Sequence, residues 1–283
     1  MSLEESMDRT SEELSDKLNC RMPTTGSYVT ARKSVTFYPA GSNIYSPGAG
    51  TKVIRFQLNS DQWLDPETVR INFRLRNMAT AYNTTASPPV TVPAEQQILR
   101  PLCGPHGAFR RLRVLCGGAI IEDFLLYNRT HEMFESLMNT NVRDNNEIEN
   151  FPSRWDKPDI YQNISPLTFK GIPGGINGFK DVSFRPLSGL LQCGKMIPLT
   201  YAPLVIELEL VNNVDDCFIS IGAAASLGGT PFDATNTSNS WQIENPSLKC
   251  DIIEIDNALH NQYIQHLNSD HALRLSYDTV ITQ

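Results

Sequence analysis

The sequence predicts an all-β chain, an eight-stranded antiparallel jelly-roll sandwich with a short helical insertion and an extended N-terminal arm. Three observations predict it. Apolar side chains recur every second residue in several segments, as expected of strands buried on one face. Turn-forming residues punctuate those segments at uneven intervals, which disfavours an up-and-down barrel of regular hairpins. Hydrophobic residues make up 40% of the 283 positions, enough to fill a core between two sheets.

The elements follow in order. Residues 1–50 read as an arm. Ser11, Leu14 and Leu18 suit a short helix opening, and the Pro/Gly/Ser-rich stretch to Gly50 cannot build a core alone. Residues 51–256 read as the jelly roll. Ile54, Phe56 and Leu58 share one strand face. Val69, Ile71, Phe73 and Leu75 alternate with Arg70, Asn72, Arg74 and Arg76. Trp63 and Leu64 read as a loop plugging one end of the core. Gln97–Leu102 and Ala108–Cys116 read as strands, and Gly117-Gly118 as the turn into a further strand, Ala119–Phe124. Asn128 is placed to cap a helix whose apolar stripe is Met133, Phe134, Leu137 and Met138.

Residues 139–180 and 222–240 are long polar loops, the candidates for interface or exterior surface. Between and after them, Asp181–Arg185, Lys195–Leu199, Val205–Leu210, Cys217–Ile221, Trp241–Asn245 and Leu248–Ile255 read as strands. Residues 257–283 read as a linker helix, capped by Asp256 and striped with Leu259, Tyr263 and Leu267. A strand, Leu273–Gln283, follows as the first of a second roll that is missing or supplied by a partner.

Composition narrows the function. The net charge is −7, and six acids (Glu4, Glu5, Asp8, Glu12, Glu13, Asp16) crowd the first twenty residues, the wrong sign for strong nucleic-acid binding by the arm. The six cysteines, at 20, 103, 116, 193, 217 and 250, form no CxxC pair and read as reduced, small apolar residues. The acidic N-terminus has no apolar signal core, so the N-x-S/T matches at Asn83, Asn128, Asn163 and Asn236 carry little weight. No run of 18 apolar residues predicts a transmembrane segment.

Candidate chemistry is sparse. The histidines are His106, His131, His260, His266 and His271. A metal site built from His260, His266 and His271 is disfavoured, because six residues turn a helix by about 240° and put His260 and His266 on different faces. No H-x-H suits a cupin-like metal centre. Glu122 and Asp123 are adjacent on a strand and point to opposite faces, poor geometry for a pair of catalytic carboxylates. Asp215-Asp216 and Glu207/Glu209 read as solvated loop and strand face. Neither G-x-S-x-G nor a P-loop occurs; Gly171-Ile-Pro-Gly-Gly175 is a turn. The basic strand Arg110, Arg111 and Arg113, with Arg100 nearby, is the one candidate contact for an anion. It reads as an exposed face or a set of salt-bridge partners, with genome contact as the alternative. No catalytic, cofactor-binding or metal residues are assigned, and no cofactor is expected.

Three stretches carry a family resemblance: Ile54–Phe73 (IRFQLNSDQWLDPETVRINF), Phe109–Asp123 (FRRLRVLCGGAIIED), and Asp251–Leu267 (DIIEIDNALHNQYIQHL) running on to Ile281-Thr-Gln283. Together they resemble the N-terminal half of double jelly-roll major capsid proteins of double-stranded DNA viruses, especially the polinton-like and adintovirus group. The resemblance spans about residues 40–283, in pattern and order rather than in an invariant motif. It implies a non-enzymatic structural protein of the virion that self-assembles into a trimeric, pseudo-hexagonal capsomer, with minor capsid proteins as further partners. The chain departs from the family in having no room for a second roll. It is then either a truncated copy or a single-roll relative that builds its capsomer from more chains. A carbohydrate- or receptor-binding jelly roll, with Trp63, Trp155 and Trp241 as stacking surfaces, is the alternative; a β-sandwich enzyme using Glu122 or His106 is a third reading.

Overall fold

The structure, a computed structural model, describes residues 29–83, 87–89, 91–138, 171–218, 237–269 and 275–280. The expected helix at Ser11–Leu18, most of the loops 139–180 and 222–240, and Cys20, Trp155 and His271 lie outside the described residues.

Eight strands form the body: β1 (Val29–Phe37), β2 (Val53–Leu58), β3 (Trp63–Asn77), β4 (Phe109–Cys116), β5 (Ala119–Phe124), β6 (Phe179–Phe184), β7 (Leu204–Leu210) and β8 (Trp241–Ile255). One sheet runs β1-β8-β3-β6 and the other β2-β7-β4-β5, with every neighbour antiparallel. This interleaved order, with successive strands crossing between facing sheets, is that of the jelly roll. Helix α1 (Tyr127–Leu137) follows β5, and helix α2 (Asn257–Asn268) follows β8.

Alternation explains the pairing. In β7, Leu204, Ile206, Leu208 and Leu210 are buried while Val205, Glu207 and Glu209 are half-exposed. Val69, Ile71, Phe73 and Leu75 of β3 point at them from the opposite sheet, into one continuous core. Aromatic rings lock the sheets together: Phe73 of β3 meets Phe109 of β4 edge-on at 5.7 Å, and Phe184 of β6 stacks on Phe109 at 5.8 Å. Polar groups on the outer faces pair within the sheets. Arg74 bonds Asp181 at 2.8 Å, Arg76 bonds Glu244 at 2.7 Å, and Arg113 bonds Glu207 at 2.8 Å. The Cys116–Ala119 hairpin turns through Gly117 and Gly118 at φ 56° and 88°, which only glycine adopts without strain.

The structure differs from the sequence expectations at several places. The strands expected at Gln97–Leu102 and Lys195–Leu199 shrink to Ile98–Leu99 and Ile197–Pro198, and of Cys217–Ile221 the described residues show only an isolated bridge at Phe218. Val29–Phe37, read as arm, is the edge strand β1, zipped onto β8 from Val29↔Ile255 to Phe37↔Leu248. Trp63 and Leu64 are not loop but the start of β3, and Leu64 pairs Ile252. Trp241–Asn245 and Leu248–Ile255 are one strand, bent by a register shift where Asn245 takes φ 50° and donates to the Asn43 carbonyl. Helix α1 is rotated from the expected stripe: it buries Tyr127, Thr130, His131 and Glu135 and exposes Met133 and Leu137. Its N-cap is Leu126 rather than Asn128, whose side chain accepts from the Arg129 amide. The reason lies in Tyr127, whose ring is fully buried and whose hydroxyl accepts from the Leu187 amide at 2.9 Å. That anchor fixes the rotation of every later side chain. Finally, residues 275–280 form no strand; Leu275, Tyr277 and Val280 instead rest on the core of their own chain.

Helix α2 is as the sequence predicts. The Asp256 carboxylate accepts from the Ala258 amide at 3.2 Å, and Tyr263 packs on Trp63 with ring centroids 4.8 Å apart.

Candidate functional site

Among the described residues, the densest group of chemistry-bearing side chains sits where α1 crosses the 3-10 turn Pro105–Ala108 that leads into β4. Pro105 opens that turn, and the whole turn is buried. It carries His106, 1% exposed, against His131 of α1, with ring centroids 4.1 Å apart. One turn along the helix from His131, Glu135 is 2% exposed. His131 Nε2 lies 3.1 Å from Glu135 Oε1, and His106 Nδ1 lies 3.8 Å from Glu135 Oε2. On its other side, His106 Nε2 lies 3.1 Å from Glu132 Oε2. Cys103 and Glu132, half-buried, face a groove of about 510 Å³ also lined by Arg110, Arg129 and Met133.

Burial sets the electrostatics here. It lowers the His131 imidazole to about 3 and pushes His106 down as well, a drop that the neighbouring His131 reinforces. Burial thus disfavours the imidazolium form of both rings.

The Glu122/Asp123 pair does not join this group, and of the basic strand only Arg110 reaches its groove. Glu122 is buried and accepts from the amides of Gly189 and Leu190, at 2.9 and 3.1 Å, and from the Ser188 hydroxyl, so it organises a turn. Asp123 takes a bidentate bond from Arg111, at 2.7 and 2.6 Å, which holds its carboxyl below the usual range. Arg113 goes to Glu207, and Arg100 is buried, its guanidinium lowered to about 10 by desolvation. Only Arg110 of the four stays exposed. The basic strand is therefore largely neutralised within its own sheet.

Trp63 and Trp241 are 9% and 2% exposed and belong to the core, so they offer no stacking surface for a sugar. His260 is half-buried and His266 exposed on α2, away from the His106 group. No disulfide joins any two of the five described cysteines. No described helix is long and apolar enough to cross a membrane.

The sequence reading missed the His106–His131–Glu135 group. Its one local signal was His131 and Glu135 at i, i+4, which places both on one helix face; nothing local ties His106 to them across 25 positions.

No protein-family model matches the chain, and no curated protein matches it. Among solved structures it is similar to the quasi-atomic model of the PBCV-1 virus capsid, at 14% identity over 87% of this chain and 47% of that one, with a TM-score of 0.46. It is similar to the Sputnik virophage structure by cryo-EM, at 12% identity over 84% and 51%, TM-score 0.47. It is also similar to the Faustovirus major capsid protein, at 10% identity over 89% and 59%, TM-score 0.45. The chain thus spans about half the length of the structures it matches. The jelly-roll assignment stands on the strand order of the two sheets and is independent of these likenesses.

Proposed function

We propose that the chain is a capsid building block of a double-stranded DNA virus, of the polinton-like and adintovirus group that its sequence resembles, and that it resides in the virion shell. It acts without catalysis, by burying surface against further copies of itself in a trimeric or pseudo-hexagonal capsomer. Minor capsid proteins are further partners, the N-terminal arm is a tie between subunits, and residues 257–283 bridge to a second roll.

One observation carries the reading. Large apolar side chains stand exposed on the edge strand β5 and on helix α1, where Ile120 is 55% exposed, Met133 52% and Leu137 79%, with Leu125 and Leu126 in the link between the two elements, and others stand exposed elsewhere, such as Ile176 at 89% and Tyr38 at 73%. The outer faces of both sheets, by contrast, are laced with intrachain ion pairs. Scattered exposed apolar residues are ordinary, but large ones on an edge strand and in the elements that follow it suit a subunit contact.

Light scattering across a concentration series tests this. The wild-type chain should form a discrete oligomer, and the double variant Ile120→Asp/Leu137→Asp should stay monomeric while keeping its β-rich circular dichroism. A wild-type monomer at the highest concentration, or an unchanged oligomer in the variant, overturns the proposal.

A further inference from the structure

We propose that His106, His131 and Glu135 form a buried site for one borderline divalent transition-metal cation, with Zn²⁺ the reference occupant, and that Glu132 orients His106 for it.

The argument starts from the histidine tautomer. By its 3.1 Å spacing to Glu135 Oε1 the metal-free His131 donates Nε2–H to that carboxylate, a proton that the cation would displace. His106 Nε2 faces the Glu132 carboxylate at 3.1 Å, so the His106 ring proton belongs on Nε2 and is donated to Glu132. That leaves Nδ1 as a bare lone pair. Nδ1 is fully buried, has no hydrogen-bond partner, and faces Glu135 Oε2 at 3.8 Å. A lone pair turned toward a carboxylate oxygen in a dry interior is repulsive unless a proton or a cation lies between them, and a cation there could serve both imidazoles at once. Glu132–His106–cation is then the carboxylate–histidine–metal relay in which an outer carboxylate fixes the tautomer and raises the basicity of the ligand nitrogen.

The separations fit a metal. Tetrahedral N and O ligands about 2.1 Å from a cation stand about 3.4 Å from one another. Here Glu135 spans the gap with one oxygen toward each imidazole, at 3.1 and 3.8 Å, and the three ligand atoms lie within 4.8 Å of one another. A His₂Glu set with a borderline cation is a known zinc donor combination. All three residues are buried, and the groove at Cys103 and Glu132 offers a path from solvent. Bound there, the cation would tie α1 to the turn preceding β4 as a structural clasp.

A second set, Cys103, His106 and Glu132, meets the same distance limit and shares His106, but its Glu132 lies against Nε2, the nitrogen that the relay keeps protonated. The relay geometry favours the His106–His131–Glu135 set.

The test is titration of the chelator-treated chain with Zn²⁺ by calorimetry and with Co²⁺ by visible absorption. We expect one cation per chain and cobalt d–d bands without a thiolate-to-cobalt charge-transfer band. Cys103→Ser should bind unchanged, Glu132→Gln should bind about 10- to 100-fold more weakly, and His131→Gln should lose stoichiometric binding. Absence of saturable uptake, or full affinity in His131→Gln, overturns the proposal. So does a thiolate charge-transfer band in the wild-type spectrum, which needs no variant to fold and places the ion on Cys103.

Discussion

Replacing Glu122 by alanine should be among the most damaging single changes in the chain. The carboxylate is 2% exposed and gathers three donors from one turn: the Ser188 hydroxyl, the Gly189 amide and the Leu190 amide. Ser188 and Leu190 are themselves buried, at 1% and 3%. Alanine leaves these donors without an acceptor, and water reaches only the Gly189 end easily. Each stranded buried donor costs about 1–3 kcal/mol, so the two together with a partial loss at Gly189 come to about 3–5 kcal/mol. That is a large share of the roughly 5–15 kcal/mol that holds a domain together. With a urea m-value of about 2–3 kcal/mol/M, the midpoint should fall by about 1–2 M. Glu122→Gln keeps one carbonyl acceptor and should lose about half as much. The assay is urea unfolding followed by tryptophan fluorescence, since Trp63 and Trp241 are core residues. An alanine variant within about 0.5 kcal/mol of wild type would refute the claim that this carboxylate organises the turn.

Other predictions follow from the same structure. Leu208→Ala, at a fully buried position in β7, should cost about 2–5 kcal/mol, whereas Glu209→Gln on the outer face should stay within about 0.5 kcal/mol in the same assay. Asp123 is held below its ordinary value of 3.8 by Arg111, so its contribution is present above that value and is lost as pH falls through the lowered one. The stability gap between wild type and Arg111→Gln, up to about 1 kcal/mol near neutrality, should therefore close as urea titrations are repeated from about pH 5 toward pH 2. Asn245, at φ 50°, should accept glycine with little change, while Asn245→Val should cost about 1–2 kcal/mol in thermal or urea melts. Burial raises the Cys250 thiol to about 12 and the Cys217 thiol well above its usual value, so both should resist a thiol reagent until the chain unfolds, while the half-buried Cys103, Cys116 and Cys193 react first.

Alternation made much of this fold legible. The Val69–Leu75 and Val205–Leu210 rhythms name the inner faces of β3 and β7, and Gly117-Gly118 names their neighbouring hairpin. What stayed hidden was set by tertiary partners. Strand β1 does alternate, with Val29, Ala31, Val35 and Phe37 against Thr30, Arg32, Ser34 and Thr36, but Lys33 interrupts its apolar face and only Val35 and Phe37 rest on the core; its register comes from β8, more than two hundred residues away. The rotation of α1 was misread because Met133 and Leu137 make as good an apolar stripe as any, and only the buried Tyr127–Leu187 contact decides against them. The His106 group was hidden for the same reason, since its members converge only after that rotation is fixed. Glu122 and Asp123 were separable from sequence, because neighbouring strand residues face opposite ways, but the turn that Glu122 gathers was not.

The most direct test of the shell reading is electron cryomicroscopy of the purified chain concentrated to the point of assembly. The account predicts discrete symmetric particles in which β5 and the Met133–Leu137 face of α1 are covered by a neighbouring copy. Particles joined through other faces with that flank open to solvent, or a field of single sandwiches at every concentration, would contradict it.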